Sequence, residues 1–178
     1  LTPMGVNYDV FVLMSFTSGL MLFAKHGYAH ARLDKQLQAK QISKRYFALV
    51  RGDGELEQEG DIIAPIGRPE DSIITRCVTQ NGKYAHTSYK LVQSWGNIHL
   101  VDIQLHTGRT HQIRVHFSHI GFPLLGDDLY GGSLDCGIER QALHCHNLVF
   151  TNPFSVERVD LEAALPEDFQ AVINQLKS

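Results

Sequence analysis

Short apolar runs and period-two alternation dominate the chain and predict a strand-rich domain with a few helices. Lys44–Val50, two basic residues leading into an aromatic and apolar run, predicts a strand. Asn97–Leu105, rich in β-branched residues and leucine, predicts a second, Ala142–Phe150 reads as another, and 154–161 continues in strand style. A short strand is expected over Asp61–Ile66. Residues 73–78 and 84–92 are expected to form a hairpin about Thr79-Gln80-Asn81-Gly82-Lys83, because Asn-Gly favours tight hairpin turns. Near the N-terminus, Val6–Met14 reads as a buried strand, and Thr17-Ser18-Gly19 as a turn into a second apolar strand through Lys25. Helical spacing shows at three places. Ala29, Leu33 and Leu37 mark one face of a helix from about Gly27 to Lys40. Ile113, Phe117 and Ile120 mark a second, stopped by Gly121 and Pro123. Phe169, Val172, Ile173 and Leu176 form the apolar face of a closing helix with acids in its first turn.

The stretch His106–His116 packs two arginines and three histidines into a strand–turn–helix junction without an acid. Gly108 would let the backbone turn tightly and approach a ligand, and Thr110 is the expected helix N-cap. Unpaired amides at that helix start, with Arg109 beside them, would attract an anion such as phosphate. Arg114 lies one turn on, about 40° round from Thr110, and can face the same space. The same residues also suit a basic surface helix with satisfied histidines, and Tyr46 beside Phe47 also suits ordinary packing.

A chain of 178 residues is enough for one domain spanning 1–178, and no repeat, low-complexity tract or internal boundary interrupts it. The net charge of −3 does not announce nucleic acid, so an RNA-binding chain must gather its positive charge locally. Lys35–Arg51 holds five basic residues and no acid, and Gln104–His119 holds two arginines and four histidines. Cys77, Cys136 and Cys145 are odd in number and far apart, which fits reduced cytosolic thiols rather than disulfides or a zinc module. In a strand, Cys145 points away from His144 and His146, so this triplet is not expected to clip a metal. No apolar run approaches a membrane span, and no signal peptide is recognisable. Leu1 is not an initiator methionine, so the sequence is expected to begin inside a longer product.

His106–His116, followed by Gly121-Phe122-Pro123-Leu124-Leu125-Gly126-Asp127-Asp128-Leu129-Tyr130-Gly131, closely resembles a signature of the RluA-type RNA pseudouridine synthases. Lys44-Arg45-Tyr46-Phe47-Ala48 resembles that family's Lys-x-Tyr-x-Ala motif. Gly82-Lys83-Tyr84-Ala85-His86-Thr87 resembles its Gly-Lys-x-Ala-x-Thr stretch, and Leu143-His144 the Leu-His of its uridine pocket. The resemblance implies an α+β fold, a mixed and largely antiparallel sheet flanked by helices and loops, with an RNA cleft across it. It implies isomerisation of uridine in ribosomal or transfer RNA with no cofactor and no metal. Tyr46 would stack on the uracil and assist proton removal, and Arg114 would pair with a catalytic aspartate. Arg109, His111, Gln112 and Leu143 would frame the pocket or hold the RNA. A cytoplasmic monomer is expected.

One motif departs from the pattern. The family's Thr-Ser-Gly-Leu run follows His-Arg-Leu-Asp, but here the four corresponding positions are Phe11, Val12, Leu13 and Met14. Met14 stands in the aspartate's place, and a thioether can act neither as nucleophile nor as base. The later Arg32-Leu33-Asp34 lacks the following Thr-Ser-Gly, and Asp34 falls on the outer face of the first helix. Asp9 would need a rearranged loop to serve. The alternatives are a catalytically inactive relative that still binds RNA, and an interaction domain unrelated to RNA. For the enzyme, Arg114→Ala is expected to abolish activity with little loss of folding.

Overall fold

In the computed structural model, which describes residues 17–70 and 72–177, the apolar stretch around Tyr46 becomes the strand on which the sheet is built. This is β2 (Ser43–Arg51), and it is flanked by β7 (Ile98–Leu105) and β8 (Leu143–Thr151), antiparallel on both sides. Beyond β7 lie β6 (His86–Trp95) and then β3 (Glu59–Ile63), also antiparallel. On the other side β8 carries two short neighbours. One is β1 (Ser18–Gly19), the parallel member of the sheet, and the other is the antiparallel β9 (Arg158–Glu162). The sheet is therefore mixed and largely antiparallel, as expected for the α+β class. A separate two-stranded ribbon joins β4 (Ile66–Gly67) to β5 (Cys77–Val78).

The core follows from the two-residue period of the strands. Ala48, Val50, Val101 and Ile103 face one side, where Ile113 and Phe117 of α2 (Gln112–His119) cover them together with Phe122 and Leu124. Leu49, Ile98 and Leu100 face the other, under Phe169, Val172 and Ile173 of α3 (Glu167–Leu176). Helix α2 ends at Gly121 (φ +83°), with Phe122 N–H donating to Phe117 O at 2.8 Å and Gly121 N–H to Ser118 O at 3.1 Å. These are the two bonds of a Schellman stop, for which glycine at the left-handed position is favoured.

Three expectations change. The Asn81-Gly82 turn does not join a hairpin of neighbouring strands: β5 pairs back onto β4, while β6 pairs with β3 and β7. The segment after Thr17 contributes two residues of strand rather than a run to Lys25, because β8 offers its edge only at His144 and Cys145 there. In α1 (Gly27–Gln38) the inward residues are Ala29 and Gln36, and Leu37 is exposed. The Gln36 amide bonds both the N–H and the O of Thr151 at 2.8 Å, which holds this helix by polar contacts rather than by a leucine face. The predicted strand Val6–Met14, Asp9 and the four positions Phe11–Met14 lie outside the described residues. No helix among the described residues is long and apolar enough to cross a membrane.

Candidate active site

Helix α2 starts at Gln112, and Thr110 is not its cap. His111 takes that place with φ 57°, a left-handed conformation uncommon for a residue with a β-carbon. The cause is the buried Gln112 side chain. Its Oε1 accepts from Thr107 Oγ1 at 2.8 Å and from Arg109 N–H at 3.0 Å, and its Nε2 donates to His86 O at 3.0 Å and Thr87 Oγ1 at 2.9 Å. All four hydrogen-bonding positions of the amide are used within the protein. Gln112 therefore shapes the turn and offers no polar atom to a ligand. The anion site expected at this helix start also loses amides, since Arg109 N–H is taken by Gln112 Oε1 and Gln112 N–H by Arg109 O. Gly108 has no left-handed φ and no close neighbour, so its small size is not demanded there.

The strained His111 meets Tyr130. The Tyr130 hydroxyl accepts the Arg76 N–H at 3.0 Å and shares a 2.8 Å hydrogen bond with His111 Nδ1. Burial, then the nearby Arg114 and Arg76 charges, hold His111 below the ordinary imidazole value, so the ring is neutral at pH 7. Under it the Tyr130 ring lies 4.7 Å from the Arg114 guanidinium carbon, a cation–π contact. Arg114 also grips Asp127 with two bonds, Nε to Oδ2 at 2.7 Å and a terminal nitrogen to Oδ1 at 2.6 Å. The side chains are 12% and 0% exposed, so the pair is desolvated rather than a surface bridge. Arg114 is thus fixed by a carboxylate on one side and an aromatic face on the other.

In the same cavity, β2 presents Tyr46. The β2–β8 register shifts between Arg45 and Tyr46, and Tyr46 then sits opposite Cys145. Such bulges re-aim side chains. Burial first, then the neighbouring Cys145, push the phenol well above its ordinary value, so it keeps its proton at neutral pH. Tyr46, Leu143, Arg109, His111, Gln112 and Arg114 all line one cavity of about 960 Å³. That lies within the range of about 300–1,000 Å³ usual for small-molecule sites. Leu105, Ile113, Ile138 and Leu143 give it an apolar wall beside Tyr46, and exposed Ile74 and Leu134 stand at its rim. Arg109 is exposed and donates through Nε to Tyr84 O at 3.0 Å.

Other sequence candidates fall elsewhere. Asp34 is exposed on α1, where it accepts from Gln38 Nε2 at 2.7 Å, and does not line the cleft. His116 is enclosed between Thr87 Oγ1 at 2.9 Å and Ala64 O at 3.0 Å. His144 is held by Ser18 at 2.9 Å, and His146 stacks on Phe47 with ring centres 3.9 Å apart. Asp127 and Tyr130 carry site roles that the sequence reading did not assign. Their signal lay in the quoted Gly126-Asp127-Asp128-Leu129-Tyr130-Gly131, but which acid turns inward depends on the fold. The carboxylates lining the cleft, among the described residues, are Asp128 and Glu139, while Asp127 is turned away into its pair. Thr17, the first described residue and three positions after Met14, also lines the cleft.

Comparison with known proteins shows the family of the chain. A family model described as RNA pseudouridylate synthase matches residues 15–119, so the chain belongs to that family. The Bacillus subtilis protein named uncharacterized RNA pseudouridine synthase YjbO is 45% identical over 157 residues, which cover 88% of this chain and 55% of that protein. The ribosomal large subunit pseudouridine synthase D of Zymomonas mobilis is 38% identical, over 90% of this chain and 53% of that protein. The chain spans about half the length of these relatives. Among solved structures, human RNA Pseudouridylate Synthase Domain Containing 1 superposes with a TM-score of 0.73 at 25% identity, covering 98% of this chain and 81% of that one.

Proposed function

We propose that this chain is the catalytic part of a synthase that isomerises uridine to pseudouridine in RNA, with ribosomal RNA as its first candidate substrate. The observation that carries the reading is the single cleft that gathers Tyr46, Leu143, Arg109, His111, Gln112 and Arg114. The reaction breaks the N1–C1′ bond, turns the uracil, joins C5 to C1′, and moves a proton from C5 to N1. The nucleotide must leave its stack to enter, which costs a few kcal/mol. Tyr46 and the apolar wall supply a face for the base, Arg114, its charge shared with Asp127, supplies N–H donors at the cleft, and exposed Arg109 supplies a phosphate contact. A phenol held above its ordinary value acts here as a platform and hydrogen-bond donor in preference to a base. Gln112 serves by shaping the turn. Ribosomal RNA is favoured because several relatives carry large-subunit synthase names, and these bacterial relatives point to the cytoplasm.

The attacking carboxylate is the open part of the reading, because Met14 holds its family position. One experiment addresses it. RNA carrying tritium at uridine C5 is incubated with the purified chain and with Met14→Asp, and tritium release and salt-dependent RNA binding are both measured. Release by the parent or by Met14→Asp, lost in Arg114→Ala, supports the synthase. Binding without release in either protein replaces it with an RNA-binding relative. Absence of both overturns the RNA reading altogether.

A further inference from the structure

On the solvent face of the sheet's far edge, three neighbouring segments bring together residues that the cleft does not use. Asp61 on β3 sits opposite Ser88 on β6 in register, and Ile63 sits opposite His86. His106, immediately after β7, donates its backbone N–H to His86 O at 3.1 Å. Their neighbours Ile62, Thr87 and Tyr89 point inward and are buried, so Asp61, His86 and Ser88 must point outward. The two imidazoles stack with ring centres 4.1 Å apart. His86 Nε2 lies 2.7 Å from Asp61 Oδ1, and Ser88 Oγ lies 2.5 Å from that same oxygen and 2.6 Å from His106 Nε2.

We infer that Asp61, His86 and His106 form a binding site for a divalent transition-metal ion of the zinc class. One ligand atom from each of the three lies within 4.8 Å of the others. Zinc bonds of about 2.0–2.2 Å in a tetrahedron require ligand atoms about 3.3 Å apart. The 2.7 Å His86–Asp61 contact needs to open by roughly 0.6 Å, with Ser88 turning aside. Rotation of the Asp61 side chain, 59% exposed, and of the histidines at the rim can accomplish this without moving the strands. Two imidazoles and one carboxylate select zinc, nickel or cobalt over magnesium or calcium, which prefer sets of oxygen ligands. Three protein ligands leave a fourth position for water. The site would also tie β3 to the turn bearing Arg109, since Thr107 Oγ1 accepts the His86 N–H at 2.9 Å and donates to Gln112.

The test is calorimetric titration of the purified 178-residue chain with Zn²⁺ in a buffer that does not chelate, followed by crystals with anomalous data at the zinc edge. The expected result is one ion per chain, at least tenfold weaker binding in both Asp61→Asn and His106→Ala, and an anomalous peak among the three side chains. Asp61 is exposed, so Asp61→Asn should keep the parent circular dichroism spectrum, and weaker binding then reports the ligand itself. Absence of saturable binding overturns the proposal. So does equal affinity in the double variant His86→Ala/His106→Ala, or a peak located elsewhere.

Discussion

Replacing Asp127 by asparagine should damage both stability and chemistry, and the two effects can be separated. The carboxylate is fully buried and holds Arg114 through two bonds at 2.6 and 2.7 Å. Asparagine keeps the shape but removes the charge and turns an NH₂ toward guanidinium donors. Removing one partner of a buried pair costs about 3–5 kcal/mol because the other charge stays desolvated. Here Arg114 is slightly exposed on the cleft side and rests on Tyr130, so it can recover some hydration, and the lower end, about 3 kcal/mol, is expected. With a urea slope of about 2 kcal/mol/M, the unfolding midpoint should fall by about 1.5 M. Displacing a positioned arginine by about 1 Å should also lower turnover about a hundredfold in any variant active enough to assay. The same pairing changes the expectation for Arg114→Ala, which now strands a buried carboxylate and should lose folding stability as well as activity. The paired replacement Arg114→Met/Asp127→Leu should regain most of the stability and none of the activity. Urea unfolding of the two single variants and the double decides the matter. Single variants within 0.5 kcal/mol of the parent, or a coupling near zero, would refute the buried pair.

Other consequences are as direct. Tyr46→Phe should retain product formation within about tenfold, since the phenol keeps its proton, whereas Tyr46→Ala should lose far more; tritium release from C5 measures both, and equal losses would contradict the platform role. Burial holds His99, His116 and His144 below the ordinary imidazole value of 6.5. The unfolded chain therefore takes up protons near 6.5 that the folded one refuses, so stability is full above that pH and falls below it. The slope reaches at most about 1.4 kcal/mol per pH unit for each histidine, and urea midpoints equal at pH 7.5 and 5.5 would be incompatible with it. A β-carbon at Gly132 would lie 1.9 Å from Leu124 O and 2.7 Å from Asp127 N, so Gly132→Ala should cost at least about 2–3 kcal/mol. Gly108→Ala meets nothing within 4 Å and should stay within about 0.5 kcal/mol of the parent by thermal unfolding.

The sequence by itself determined the strands around Tyr46 and Leu100, the helix after Arg109, the closing helix and the family. Each rests on local periodicity or on contiguous residues, and both are written in order along the chain. The tertiary structure decided what depends on partners distant in sequence. Thr110 is a good cap by composition, yet Gln112, reaching back to Thr107 and across to Thr87, moved the cap to His111. The Asn81-Gly82 turn is real chemistry, but which strands it joins depended on where β3 and β7 had already taken the edges of β6. Asp127 and Asp128 are adjacent and alike in sequence. Only the fold turns one inward beside Arg114 and leaves the other on the cleft, because a buried carboxylate needs a compensating partner, here the fixed guanidinium.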